Sequence, residues 1–166
     1  CLYVLGGQAS RTKAYEQGFI TIQDESSMIP VNVLNPQSGW NVLDMCAAPG
    51  GKTTQIAEKM DNTGTIIATD IHPHKLTLIE KLSERLGINI IKTALVDGKK
   101  ASETFQPESF DGILVDAPCS GLGVLRRKPD IKYTKLKEDF EKLHEIQIQL
   151  LNNAAVLLKK GGRLVY

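Results

Sequence analysis

The sequence is poor in the residues that mark a special environment. Its cysteines are Cys1, Cys46 and Cys119, an odd number with no C-x-x-C spacing, so neither a disulfide framework nor a zinc site is indicated. His72, His74 and His144 show no metal-ligand spacing, and no metal is expected. No apolar run approaches the roughly 20 residues that cross a bilayer, and the N-terminus lacks the charged-then-apolar order of a signal peptide. A membrane partner is therefore not expected, and a cytoplasmic location is the default. Excess charge is missing too: the net charge is +1, which by itself does not announce a nucleic-acid protein.

What is present is ordinary globular composition, 42% hydrophobic and 23% charged over 166 residues, enough for one domain with a real core. From Asn41 onward short apolar runs alternate with helical patterns, the signature of α/β architecture with a mostly parallel sheet. Strands are expected at 42–46, 65–71, 88–96, 110–117 and 163–166. Helices are expected at 52–60, at 74–86 with Gly87 as a C-terminal cap, and at 135–159. The last carries Phe140, Leu143, Ile146, Leu150, Leu151, Ala154, Leu157 and Leu158 on one stripe, with Lys159 and Lys160 at its negative end. Residues 1–40 read as an N-terminal extension packing on this core: 19–23 alternates like a strand, and Asp24 or Ser26 can cap a short helix ending near Pro36. Residues 41–166 form the core, and the final Gly-Gly-Arg-Leu-Val-Tyr reads as the opening of a fifth core strand at which the sequence stops.

The chemistry begins at Asp44-Met45-Cys46-Ala47-Ala48-Pro49-Gly50-Gly51-Lys52-Thr53, a strand passing through a small-residue loop into a helix. In a doubly wound fold, ligands sit at the carboxyl ends of the strands, where such a loop lets backbone approach them. A nucleotide P-loop needs a glycine where Cys46 stands, although Gly51-Lys52-Thr53 matches its second half; a dinucleotide fingerprint needs a spacing that adjacent Gly50 and Gly51 do not supply. A nucleoside cofactor with a smaller charge demand remains. Asp70, twenty residues beyond Gly50, can accept from ribose hydroxyls, and Asp97 ends the third strand where an adenine amino group can donate. Alone, Asp70 reads equally well as a helix cap and Asp97-Gly98 as a turn. Together they suggest S-adenosyl-L-methionine.

The stretch Asp111-Gly112-Ile113-Leu114-Val115-Asp116-Ala117-Pro118-Cys119-Ser120-Gly121 delivers an acid and a thiol from one buried strand. That pairing suits reaction at C5 of a pyrimidine. C5 of cytosine is a poor nucleophile until a thiolate adds to C6, and Asp116 is placed to assist at the ring nitrogen. Cys119 is either the attacking thiol or the group that assists its release.

These two motifs, continued through Arg126-Arg127-Lys128-Pro129-Asp130-Ile131-Lys132 and the closing Gly161-Gly162-Arg163-Leu164-Val165-Tyr166, resemble the Sun (Fmu, RsmB-like) family of ribosomal RNA cytosine-C5 methyltransferases over nearly the whole chain. The resemblance implies a Rossmann-like S-adenosylmethionine-dependent methyltransferase fold. It implies that Cys46 to Lys52 line the cofactor loop, that Asp70 holds the ribose, that Asp97 meets the adenine, and that Asp116 lies between cofactor and cytosine. Cys119 then matches the family's release cysteine. The nucleophile is expected in a Ser-Thr-Cys segment directly after the strand reaching Tyr166, so residues 1–166 are expected to bind the cofactor without turning over.

Charge position supports an RNA partner better than charge sum. Arg126, Arg127, Lys128 and Lys132, with Lys135 and Lys137, face one acid, Asp130, directly after the acid-thiol strand. Phosphates gripped there can hold the strand while one base is rotated into a pocket, and Tyr133 can stack on its neighbour. The plainer alternative is that these charges solvate a loop.

Overall fold

The computed structural model describes residues 6–124 and 137–166. Five strands form one sheet: β1 (Asn41–Met45), β2 (Thr65–Asp70), β3 (Ile91–Leu95), β4 (Phe110–Val115) and β5 (Leu158–Val165). Their order is β3-β2-β1-β4-β5, with every pairing parallel. This is a Rossmann-like doubly wound sheet whose order reverses between β1 and β4, so a crevice opens there at the carboxyl ends of the strands.

The sheet is covered on both faces, as an all-parallel sheet requires. The period of two along β1 turns Leu43 and Met45 one way, where they meet Ile113, Val115 and the helix side chains Leu150, Ala154 and Leu157. Val42 points the other way, joining Ile66, Leu114, Val31, Leu34, Ile56 and Met60. The first layer is supplied by α6 (Lys137–Leu157) together with the short α5 (Ala101–Thr104); the second by α2 (Glu25–Leu34) and α3 (Gly51–Lys59). α4 (Pro73–Arg85) packs beside β2 and β3, and a single turn, α1 (Lys13–Glu16), precedes α2.

Several local expectations change. Residues 19–23 run without joining the sheet, and Phe19 is largely exposed. β3 starts at Ile91: Ile88 and Ile90 are apolar because they pack on the core before the ladder begins. The long helix stops at Leu157 and passes straight into β5, so Lys159 and Lys160 lie in the strand. There Lys159 bonds Asp111 at 2.6 Å and Lys160 lies 3.8 Å from Glu108. Gly161 and Gly162 make this possible: Gly161 has φ 79°, and a side chain at Gly162 would press on Leu158 and the carbonyls of Lys159 and Asp111, where the ladder with β4 shifts register between Phe110 and Gly112. Phe140 is 41% exposed, because the helical stripe is buried against the core only from Ile146 onward.

Candidate functional site at the strand switch point

Two loops meet over the crevice. The one after β1, Cys46 to Gly50, opens with Cys46 in left-handed backbone (φ 60°) and passes through a cis Ala48–Pro49 peptide into α3. Cys46 is strained there, since any side chain in this region is disfavoured by backbone sterics. Gly50 has φ 105°, and a Cβ on it would stand 3.2 Å from the Cα of Ile79 in α4. The loop thus depends on glycine at this position to lie against α4. The second loop runs from Asp116 through Pro118, whose carbonyl accepts from Gln147 Nε2 of α6 at 3.0 Å.

Between these loops lies a cavity of about 170 Å³, lined by Cys46, Ala47, Ala48 and Pro49 from the first, by Gly51 and Lys52 at the start of α3, by Asp116 from the second, by Asp44 from β1, and by Ile22, Gln23 and Ser27. Lys52 Nζ donates to Asp116 Oδ2 at 2.7 Å, so one ion pair joins the glycine-loop motif to the acid-thiol motif. Sequence separation between them is 64 residues, and the switch point is what brings them together.

Asp44 is fully buried. Its Oδ2 accepts from Thr53 Oγ1 at 2.6 Å, while Oδ1 has no hydrogen-bond partner among the described residues. Burial raises its pKa to about 7; the Thr53 hydroxyl pulls it down, Asp116 pushes it further up, and Lys52 offsets part of that. The Cys46 thiol is pushed up to about 11, first by burial and then by Asp70, Asp44 and Asp116, so it stays protonated and is no nucleophile. Cys119 is exposed.

Asp70 and Asp97 stand at the ends of the neighbouring strands, outside the residues that line this cavity. Asp70 is 6% exposed, accepts from the His72 amide at 3.1 Å, and lies 3.5 Å from Lys75 Nζ. Its charge is felt at Cys46. Asp97 caps a 3-10 turn, Gly98–Lys100, by accepting from the Lys99 amide at 3.0 Å. Arg126, Arg127, Lys128 and Lys132 lie outside the described residues, as does Tyr133.

Thr53 bears on the P-loop alternative. Its side chain is buried and committed to Asp44, and Lys52 is committed to Asp116. Neither is presented as a triphosphate and metal site requires.

Sequence reasoning missed Asp44, Ile22, Gln23 and Ser27. Asp44 had a readable signal: an acid between Leu43 and Met45 in a strand buried on both faces needs a reason to be there. The other three come from a segment whose alternation resembled a strand and whose position depends on long-range packing, including Gln23 Nε2 donating to Gln55 Oε1 at 3.1 Å.

Comparison with known proteins agrees with this architecture. A family model described as 16S rRNA methyltransferase RsmB/F matches residues 31–166. The probable ribosomal RNA small subunit methyltransferase B of Bacillus subtilis (strain 168) is 52% identical over 163 residues, which is 98% of this chain and 36% of that protein. Ribosomal RNA small subunit methyltransferase B of Enterobacter sp. (strain 638) is 41% identical over 152 residues, 92% of this chain and 35% of its own length. Among solved structures, NSun6 from Pyrococcus horikoshii with SFG aligns with a TM-score of 0.83 and 34% identity, covering 95% of this chain and 40% of that one. The chain spans about a third of the length of these curated relatives. With the motifs, the strand order and the match over most of its length in agreement, this chain belongs to the 16S rRNA methyltransferase RsmB/F family.

Proposed function

We propose that this protein takes part in S-adenosylmethionine-dependent methylation of C5 of cytosine in ribosomal RNA, the small-subunit 16S rRNA in particular, through a covalent cysteine adduct at C6. Residues 41–166 are the cofactor-binding catalytic core, and residues 1–40 are an extension that packs on it and contributes one wall of the cavity. The observation that carries the reading is the Lys52–Asp116 ion pair at 2.7 Å, which joins the small-residue loop after β1 to the strand end that also bears Cys119. The relatives named for ribosomal RNA methylation, and the archaeal relative solved with SFG, an analogue of S-adenosylmethionine, support it.

The cavity suits the amino-acid end of such a cofactor. Carboxylates at Asp44 and Asp116 answer an ammonium group, and Lys52 with the amino end of α3 answers a carboxylate. Asp70 is offered to the ribose and Asp97 to the adenine, at the ends of β2 and β3. When bound, S-adenosylmethionine supplies an electrophilic methyl group on a sulfonium.

The chain's own residues assist the base, the release step and the grip on RNA, while the attacking thiol is expected from the Ser-Thr-Cys segment that follows β5. Asp116 faces the base, and the Lys52 ammonium that it holds supplies positive charge as the cytosine ring nitrogen becomes electron-rich on thiolate addition at C6. Cys119 assists release of the adduct, its loop held to α6 by Gln147. Arg126, Arg127, Lys128 and Lys132 grip RNA phosphates beside this loop. Calorimetric titration with S-adenosylmethionine tests the cofactor assignment: Asp70→Ala weakens binding by roughly tenfold or more if a charged hydrogen-bond acceptor is lost. Unchanged affinity in that variant would overturn the ribose role.

A further inference from the structure

Asp44 opens the first motif, and it is the most unusual carboxyl at the site. It is fully buried at the floor of the cavity, its Oδ2 is satisfied by the neutral Thr53 hydroxyl at 2.6 Å, and its Oδ1 has no hydrogen-bond partner among the described residues. A buried carboxylate without a paired cation costs several kcal/mol, roughly, and the ordinary escape is to keep the proton. The cations around it relieve only a small part of that cost. Lys52, on α3, is spent on Asp116 of the β4 loop at 2.7 Å, and Lys75, on α4, lies by Asp70 of β2. Cys46, on the β1 loop, keeps its proton and brings no charge.

We propose that Asp44 is a proton-linked counter-charge: it holds its proton in the free protein and surrenders it to solvent when the α-ammonium group at the amino-acid end of S-adenosylmethionine enters the cavity. The inference rests on the cofactor reading above and adds a regulation to it. The raised pKa of about 7 agrees with the geometry. The position of the cavity selects the amino-acid end, because its walls are the β1 loop, Asp116 and the 22–27 segment, whereas Asp70, the acid offered to ribose, is not among them. The only bond change is loss of the carboxyl O–H, with the proton passing to buffer.

The sign follows from linkage. Below about pH 7 the free protein carries one proton more than the complex, so binding releases it and affinity rises with pH by up to about tenfold per unit; above that value the proton is already gone and affinity levels off.

The test is isothermal titration of the intact protein with S-adenosylmethionine at about pH 6 and about pH 8, each in two buffers of different ionisation enthalpy. The expected result is release of close to one proton per ligand at the lower pH and almost none at the higher. Asp44→Asn, nearly isosteric and unable to ionise, is expected to bind with no release at either pH, which separates Asp44 from every other titratable group near the site. S-adenosylhomocysteine, which keeps the ammonium and lacks the sulfonium charge, is expected to release the same proton. Binding by the wild type without proton release, or release that persists in Asp44→Asn, overturns this proposal and leaves the cofactor reading standing. Absence of binding at any pH removes both. If Asp44→Asn does not fold, the wild-type release at the two pH values and its equality for the two ligands decide the matter.

Discussion

Two aspartates look into one cavity and live in different worlds. Asp44, at the floor, is fully buried and answers to a neutral hydroxyl; Asp116, at the rim, is half exposed and holds a lysine ammonium. Solvent and a paired cation keep a carboxylate charged, and their absence lets it keep a proton. The floor of this site is therefore built like a protein interior, where each substitution is felt in stability, and the rim like a reactive surface, where substitution is felt in chemistry.

The sharpest way to break that contrast is to remove the floor's proton. An acid whose folded pKa lies above its unfolded one is protonated in the native state and ionised in the unfolded state across the interval between them, so raising pH through that interval draws the chain toward unfolding. For Asp44 the interval runs from the ordinary carboxyl value of 3.8 to about 7. Asp44→Asn is expected to gain on the wild type across it, on the order of 4 kcal/mol in denaturant unfolding measured at about pH 4 and about pH 8. A constant difference across that range would mean that Asp44 is charged in the fold.

A smaller effect is expected at the glycine pair, where Gly50 lies against α4 behind the cavity-lining loop. Its φ of 105° and the 3.2 Å approach to Ile79 make Gly50→Ala costly, about 1–3 kcal/mol by thermal or chemical unfolding. At the rim, Asp116→Asn is expected to move stability by less than about 1 kcal/mol in the same unfolding measurement, since a half-exposed ion pair contributes little. Smallest of all is Gly51→Ala. Its Cβ would find Gln23 at 3.9 Å, an ordinary contact, and the expected change is within about 0.5 kcal/mol.

The same contrast explains what the sequence could and could not reveal. β1, β2 and β4 are apolar runs with a turn signal behind each, so they were legible, as were the loop from Cys46 to Lys52 and the acid at Asp116 that the structure brings to one cavity. Local pattern carries that much. It does not carry strand order, and so could not say that β1 and β4 are neighbours while β3 is an edge. Nor did it anticipate α6 running directly into β5, because a Lys-Lys-Gly-Gly stretch reads as a helix end and turn until β4 supplies a partner for the bulge. The alternation at 19–23 was misleading for the converse reason: Ile22 serves a cavity wall and Phe19 is largely exposed, so neither pairs in a sheet. Asp44 was visible as a buried acid in a strand, but its meaning required knowing that Thr53, nine residues on, returns to the same face.

Arg163 has a consequence for how the protein comes into being. From β5 it reaches over the Trp40 ring and donates to the carbonyls of Leu34 and Asn35 at 3.4 and 3.1 Å, linking positions up to 129 residues apart. The helix that carries Ser27 is synthesised well before β5, and it waits for its anchor until that strand has been made. Closing so long a loop comes late on any folding route, and the cavity wall that Ser27 supplies is accordingly among the later parts of this domain to be fixed.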